Sequence, residues 1–233
     1  MRKTFLVLLF LGALALTMTA ACGDDDDESS ASVTPVATQT APGTQTPNAD
    51  CPAPLEPVPE ADMTMQFTQA PEMTVDAAKE YTATVKTVRG DFTMRMRPDL
   101  APQHVNSFVF LAREGYFDGV TFHRVLPGFV AQTGDPTGSG SGGPGYTVPG
   151  EFTTEVKFQR ASVGMARTSD PNSAGSQWFI NYSATPSLDG QYTIFAEVTA
   201  GMEVVDCITP RDPSTGAALP PGDQIISIEI AES

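Results

Sequence analysis

Apolar and polar residues alternate along YTATVKTVRGDFTMRMR, residues 81–97, and the alternation breaks at Arg89, Gly90 and Asp91. A period of two belongs to a strand with one covered face, and a glycine between polar residues suits a tight turn, so the segment predicts a β-hairpin. The period then changes. In RPDLAPQHVNSFVFLAREGYFDG, Val105, Phe108, Val109 and Ala112 recur at helical spacing, Pro102 sits where a first turn tolerates it and Gly115 provides a stop. That combination predicts one amphipathic helix. Six short β-rich runs follow, at residues 120–125, 129–132, 162–166, 177–181, 192–198 and 224–230, separated by Gly, Pro, Asn and Asp, and AGMEVVDCI fits a second short helix. Many short strands with two helices predict a mainly β domain, a closed antiparallel barrel with helical caps, because closure removes the exposed strand edges.

The pattern before residue 71 is of another kind. Arg2 and Lys3 precede an unbroken apolar run from Phe5 to Leu16 and then small residues, the layout of a signal peptide over residues 1–21 and too short for a membrane-spanning helix. The following TAACGDDDD resembles a bacterial lipobox, with Cys22 as the lipidated residue, although Thr19 stands where leucine is usual; ordinary secretion is the alternative. Residues 29–49 carry no charge and no aromatic, and consist mostly of Ser, Thr, Pro and Ala. Such a stretch cannot bury enough apolar surface to offset its ordering entropy, so residues 22–70 read as a flexible, acidic tether. The reading is then of an exported protein held by lipid at the outer face of the cell membrane, with one folded domain at 71–233.

Charge adds to this. The net charge of −15 becomes −17 once residues 1–21, with Arg2 and Lys3 and no acid, are removed, so nucleic acid is not an expected partner. Cys51 and Cys207 remain as an even pair in an exported chain, which invites a disulfide; the alternative is a buried thiol at Cys207 and an unpaired Cys51.

Candidate chemistry is sparse. Gly138, Gly140 and Gly143 formally spell G-x-G-x-x-G, but PGYTVPG follows, and its prolines forbid the helix that a dinucleotide site needs. With only His104 and His123, a metal site or a catalytic triad is poorly supplied, and no metal or cofactor is expected. His104, on the first turn of the helix, reads as a surface or capping residue. The unusual stretch is TFHRVLPGFVAQTGD, residues 121–135, a strand-like run that carries His123, Arg124 and Gln132 among apolar residues. On composition alone Arg124 would be an outward-facing arginine in a surface ion pair. Trp178, alternating with Gln177 and Phe179, is expected to point into the core.

Taken together, FHRVLPGFVAQTGDPTGSGSGGPGY, GMARTSDPNSAGSQWFIN and LDGQYTIFAEVTAGMEVVDCI resemble the cyclophilins, the peptidyl-prolyl cis-trans isomerases, over residues 75–231 and most closely in their bacterial forms. The resemblance implies an eight-stranded antiparallel barrel closed by two helices, with a groove on its outer face for X-Pro polypeptides. It makes Arg124 the catalytic arginine. Phe129, Val130, Phe179 and Leu188 become the proline pocket, with Gln132 and Gln177 as hydrogen-bonding groups beside it. Ala166, Arg167 and Thr168 lie along the part of the groove that holds residues before proline, and Tyr192 occupies a substrate-binding position where many members have histidine. Ser187 departs from the family, which often has an aromatic residue there, so one wall of the pocket lacks its usual ring. A monomer acting on proteins that fold outside the cytoplasm is the resulting expectation.

Overall fold

The computed structural model describes residues 51–233 apart from Ala217; the segment expected to be a signal peptide, Cys22 and the expected tether up to residue 50 lie outside the described residues. The hairpin consists of β1 (Tyr81–Thr87) and β2 (Gly90–Met96), with Thr87 opposite Gly90. Tyr81, Ala83, Val85 and Thr87 are buried and alternate with half-exposed residues, as the period of two requires. The RGD triplet in its turn is occupied internally: the Arg89 guanidinium donates to Asp223 at 2.9 Å and to the Thr209 hydroxyl at 2.6 Å.

Helix α1 (Pro102–Arg113) buries Val105, Phe108, Val109 and Ala112 and packs against two later strands, β7 (Ile194–Ala200) and β8 (Ile225–Glu232). No side chain of its own caps it. The Glu151 carboxylate does so from a distant loop, accepting from the backbone N–H groups of Gln103 (3.1 Å) and His104 (3.0 Å). The same carboxylate meets His104 Nδ1 at 2.7 Å, and His104 is fully buried, so the surface position read from its place on the first turn is replaced by a buried pair.

The remaining strands are β3 (Arg124–Leu126), β4 (Val130–Thr133), β5 (Ser162–Met165) and β6 (Trp178–Asn181), and the second helix is α2 (Met202–Asp206). Among the described residues one antiparallel sheet of eight strands runs in the order β3-β4-β6-β5-β7-β2-β1-β8. Its concave side holds the main core, centred on Trp178, which is fully buried and lies edge-on to Phe108, Phe117 and Phe122 at 5.8, 6.4 and 6.1 Å between ring centres.

The closed barrel expected from the sequence is corrected: the sheet curls into a half-barrel and stays open between β3 and β8. Ahead of β3, residues 119–122 meet the start of β8 through the bridge Thr121 to Gln224 and through backbone hydrogen bonds from Gly119 to Ile225 (2.8 Å), Ile225 to Val120 (2.8 Å) and Phe122 to Asp223 (2.9 Å), but β3 itself does not pair with β8. The reason is local. β3 is three residues long, and its outer edge is taken by Arg211, which exchanges backbone hydrogen bonds of 2.7 and 2.9 Å with Val125. A strand edge already satisfied by a loop has no donors left for β8.

Residues 51–70, assigned by composition to the tether, lie against the domain as a strap. Cys51 is disulfide-bonded to Cys207 with a Cα–Cα distance of 5.4 Å. Leu55 N–H donates to the Val88 carbonyl at 2.7 Å, and Val58 exchanges hydrogen bonds of 3.0 and 3.1 Å with the Gln224 amide. Phe67 rests edge-on against Phe110 at 4.9 Å, and its N–H donates to the Pro144 carbonyl at 2.8 Å. These contacts join backbone polar groups to loops far along the chain, which a composition rich in Pro and Ala does not announce.

Candidate active site

Strand register builds the site. Arg124 pairs with Gln132 across β3 and β4, Gln132 with Phe179 across β4 and β6, and Phe179 with Gly164 across β6 and β5. Directly paired residues present their side chains to the same face, so Arg124, Gln132 and Phe179 form one row. Ala131 and Ile180, one position along, belong to the main core, so the row faces outward. Gly164 completes it by having no side chain: a Cβ there would come within 2.5 Å of the Phe179 ring and 2.7 Å of Phe158. The ring can therefore lie down on the sheet.

An outer sheet face is normally polar, yet this one carries a second apolar cluster. Val130, Phe158, Phe179 and Ile194 are buried there, with Phe129, Ala166, Leu188 and Tyr192 packed around them. Phe179 stacks on Phe158 at 5.7 Å and meets Tyr192 edge-on at 5.9 Å. Arg124, Phe129, Val130, Gln132, Ala166, Arg167, Phe179, Leu188 and Tyr192 line one hollow of about 280 Å³. Nine of the eleven groove residues named from the sequence thus meet around a single cavity; Gln177 and Thr168 do not line it.

Those two line a neighbouring hollow of about 560 Å³, which shares Gln132, Ala166 and Arg167 with the first and is walled further by the glycine loop at 140–143 and 145, by Tyr146, Thr147, Ser173 and Gly175, and by Gln66. The amides form a relay between the hollows. Arg124 Nη1 approaches Gln132 Oε1 at 3.4 Å, Gln132 Nε2 donates to Gln177 Oε1 at 3.0 Å, and Gln177 Nε2 donates to the Gly142 carbonyl at 2.9 Å. Each amide is fixed in orientation by its neighbour, and among the described residues the half-buried arginine keeps donors without a hydrogen-bond partner. Its guanidinium sits over the Phe129 ring, 5.6 Å from the centroid.

The glycine loop is organised by Asp135, a fully buried carboxylate that accepts from Thr137 N–H and hydroxyl (both 2.7 Å) and from the N–H groups of Gly140 (2.6 Å) and Gly142 (3.1 Å). Burial pushes its pKa up, but these donors outweigh burial and hold it below the ordinary carboxylate range. The formal G-x-G-x-x-G match is thus a loop folded on a carboxylate, with no helix following. His123, buried beside the same loop, has its pKa lowered, mainly by burial and further by Arg211 and Arg124, against an opposing pull from Asp135.

Sequence reasoning missed two neighbours. Phe152, partly exposed, lies 5.8 Å from the Arg167 guanidinium, which stacks at 4.5 Å on the other aromatic partner, Tyr192. Gln66 of the strap lines the second hollow. Ser187 is exposed on the short helical turn Pro186–Leu188 and does not line the first hollow.

This half-barrel with its outer-face groove is the cyclophilin fold. The chain superimposes on a Cryptosporidium parvum cyclophilin-type peptidyl-prolyl cis-trans isomerase, solved in the presence of the dipeptide Ala-Pro, with a TM-score of 0.59 and 32% identity, over 64% of this chain and 98% of that one. In sequence it is 43% identical over 166 residues to a probable peptidyl-prolyl cis-trans isomerase of Brucella suis, covering 66% of this chain and 84% of that protein. It is 39% identical to peptidyl-prolyl cis-trans isomerase B of Streptomyces anulatus, over 67% of this chain and 99% of that protein. Residues 82–230 match the family described as cyclophilin type peptidyl-prolyl cis-trans isomerase/CLD. The chain belongs to the cyclophilin-type peptidyl-prolyl cis-trans isomerases, a family of enzymes.

Proposed function

We propose that the chain accelerates rotation about X-Pro bonds of exported polypeptides, with Arg124 as the group that stabilises the twisted amide. The observation that carries this reading is the outward row Arg124–Gln132–Phe179, which sets a cation with free donors at the rim of an apolar hollow. Rotation about an X-Pro bond breaks amide resonance over a barrier of about 18–20 kcal/mol and needs no nucleophile. At the twisted transition state the prolyl nitrogen regains its lone pair and becomes a better hydrogen-bond acceptor. A donor aimed at that nitrogen binds the transition state more tightly than either planar ground state, which lowers the barrier. Arginine suits this task because it stays protonated and carries a rigid fork of donors. Phe129, Val130, Phe179 and Leu188 grip the proline ring while the preceding residue turns, and Gln132 holds the backbone.

The chain works as a monomer without cofactor, carried on a lipid at Cys22 at the outer face of the cell membrane. The apolar run of residues 5–16, the cysteine after small residues and the acidic, aromatic-free stretch that follows support that placement. A paired Cys51 and Cys207 suit an oxidising compartment. Metabolic labelling with a fatty-acid analogue tests the anchor: a Cys22→Ala protein that still carries label removes it.

Two-dimensional exchange NMR on a short proline peptide tests the activity. Cis-trans cross-peaks that grow with enzyme concentration are expected. Shifted peptide signals without faster exchange would instead describe a module that holds proline segments, a reading that Ser187, which supplies no ring to the pocket, keeps open.

A further inference from the structure

The second hollow draws one wall from outside the isomerase fold. Residues 82–230 make up the family match, yet Gln66, on the strap sixteen positions before it, lines this hollow together with Gln177, Thr168 and the glycine loop. The side chain is held where it is: Gln66 Nε2 donates to the Gly143 carbonyl at 2.8 Å, next to the Gly142 carbonyl that accepts from Gln177. Phe67 locks the adjoining backbone by its bond to Pro144 and its ring contact with Phe110. The loop is shaped to receive the strap, since Gly145 has φ of +90°, and a Cβ there would lie 2.6 Å from the Phe67 carbonyl oxygen and 3.1 Å from Gln66 Oε1. Any side chain at 145 would push the strap away. With Nε2 engaged, Oε1 takes no hydrogen bond from a described residue, so it is the group left to meet a ligand.

We propose that Gln66 is a specificity-determining residue: the strap completes the second hollow and selects a polar, hydrogen-bond-donating side chain ahead of the proline. The inference rests on the reading of the first hollow as the proline site, because the two share Gln132, Ala166 and Arg167, and a chain seated in one runs directly into the other. The remaining wall is mixed, with Tyr146 and Ala166 beside amides, hydroxyls and glycine backbone, so it favours neither class of side chain and the selection falls to Gln66. Gln66 is exposed and solvated in the free protein; a donor on the ligand replaces the water at Oε1, whereas leucine displaces that water and returns no hydrogen bond.

The test uses the full chain as wild type, Gln66→Ala, Gln66→Glu and a Gln69→Ala control, whose exposed side chain lines neither hollow. Peptides Ala-X-Ala-Pro-Phe and Ala-Ala-X-Pro-Phe, with X as Leu, Gln or Lys, are titrated by NMR, which reads Kd whether or not the bond isomerises. Wild type is expected to prefer Gln over Leu at one of the two positions. Gln66→Ala should lower that ratio about 3-fold to 10-fold, the worth of one hydrogen bond. Gln66→Glu should raise the preference for Lys at the same position, and Gln69→Ala should match wild type. Equal Gln-to-Leu ratios in wild type and Gln66→Ala, with no gain for Lys in Gln66→Glu, would overturn the inference. Exchange cross-peaks in the same samples report on isomerisation separately, so either conclusion can fail alone.

Discussion

Replacing Arg124 by alanine separates catalysis from stability, because the expected loss at the transition state is roughly three to four times the loss in folding free energy. Among the described residues the guanidinium approaches Gln132 at 3.4 Å, sits 5.6 Å above the Phe129 ring and exerts a solvent-screened attraction on the exposed Asp212 carboxylate. The first is a marginal hydrogen bond, and the second is worth roughly 0.5–1 kcal/mol at a partly exposed site. Unfolding free energy should therefore fall by about 1 kcal/mol, a Tm shift of about 2–4 °C for a domain of this size. A donor that acts only at the transition state is worth about 3–4 kcal/mol, so kcat/KM should fall roughly 10²-fold to 10³-fold. Arg124→Lys keeps the charge but not the planar fork and should recover only part of that loss. Exchange NMR on a proline peptide gives the rate, and a thermal melt on the same sample gives the fold. A cooperatively melting Arg124→Ala protein whose kcat/KM stays within about threefold of wild type would refute the arginine mechanism.

Two further outcomes follow from the same geometry. The Cys51–Cys207 bridge closes a loop with a sequence separation of 156, for which chain entropy alone gives about 5 kcal/mol, so Cys51→Ser should move the urea midpoint down markedly; coincident curves would show that the bridge adds nothing to stability. Acid should loosen the groove through two groups acting in the same sense. His123 is held below its ordinary value of about 6.5 by burial, so it resists protonation in the fold, and stability declines as pH drops below that value. Asp135 is held below the carboxylate range by its donors, so its contribution is complete above about pH 4 and is lost as pH falls through its lower folded value. Amide exchange at Gly140 and Gly142 reads this directly: exchange free energies that are flat from pH 7 to pH 3 would contradict it.

The hairpin, α1 and the inward Trp178 were readable in the sequence because each rests on the period of neighbouring residues, which no distant contact overrides. The groove was not readable in that way. Composition favoured a surface role for Arg124, and only the resemblance carried by three separated motifs brought it together with Phe129, Gln132 and Phe179. The open seam escaped because it depends on Val125 pairing with Arg211, a contact between a short strand and a remote loop. Glu151 capping α1 and burying His104 is another long-range partnership that periodicity does not carry. The strap left one trace: Phe67 is the sole aromatic residue between Phe10 and Tyr81, and an isolated ring in a polar stretch asks for something to pack against.

The bridge at Cys51 also decides where a mechanical load would go. Residues 1–50 join the described chain at that cysteine, fifteen positions before Gln66. A pull on the N-terminal side meets a covalent bond to Cys207 first, so the tension passes into the domain there. The hydrogen bonds that hold the strap beside the groove lie on the slack side of the clamp. A protein tugged by its leading end would keep its binding surface in shape.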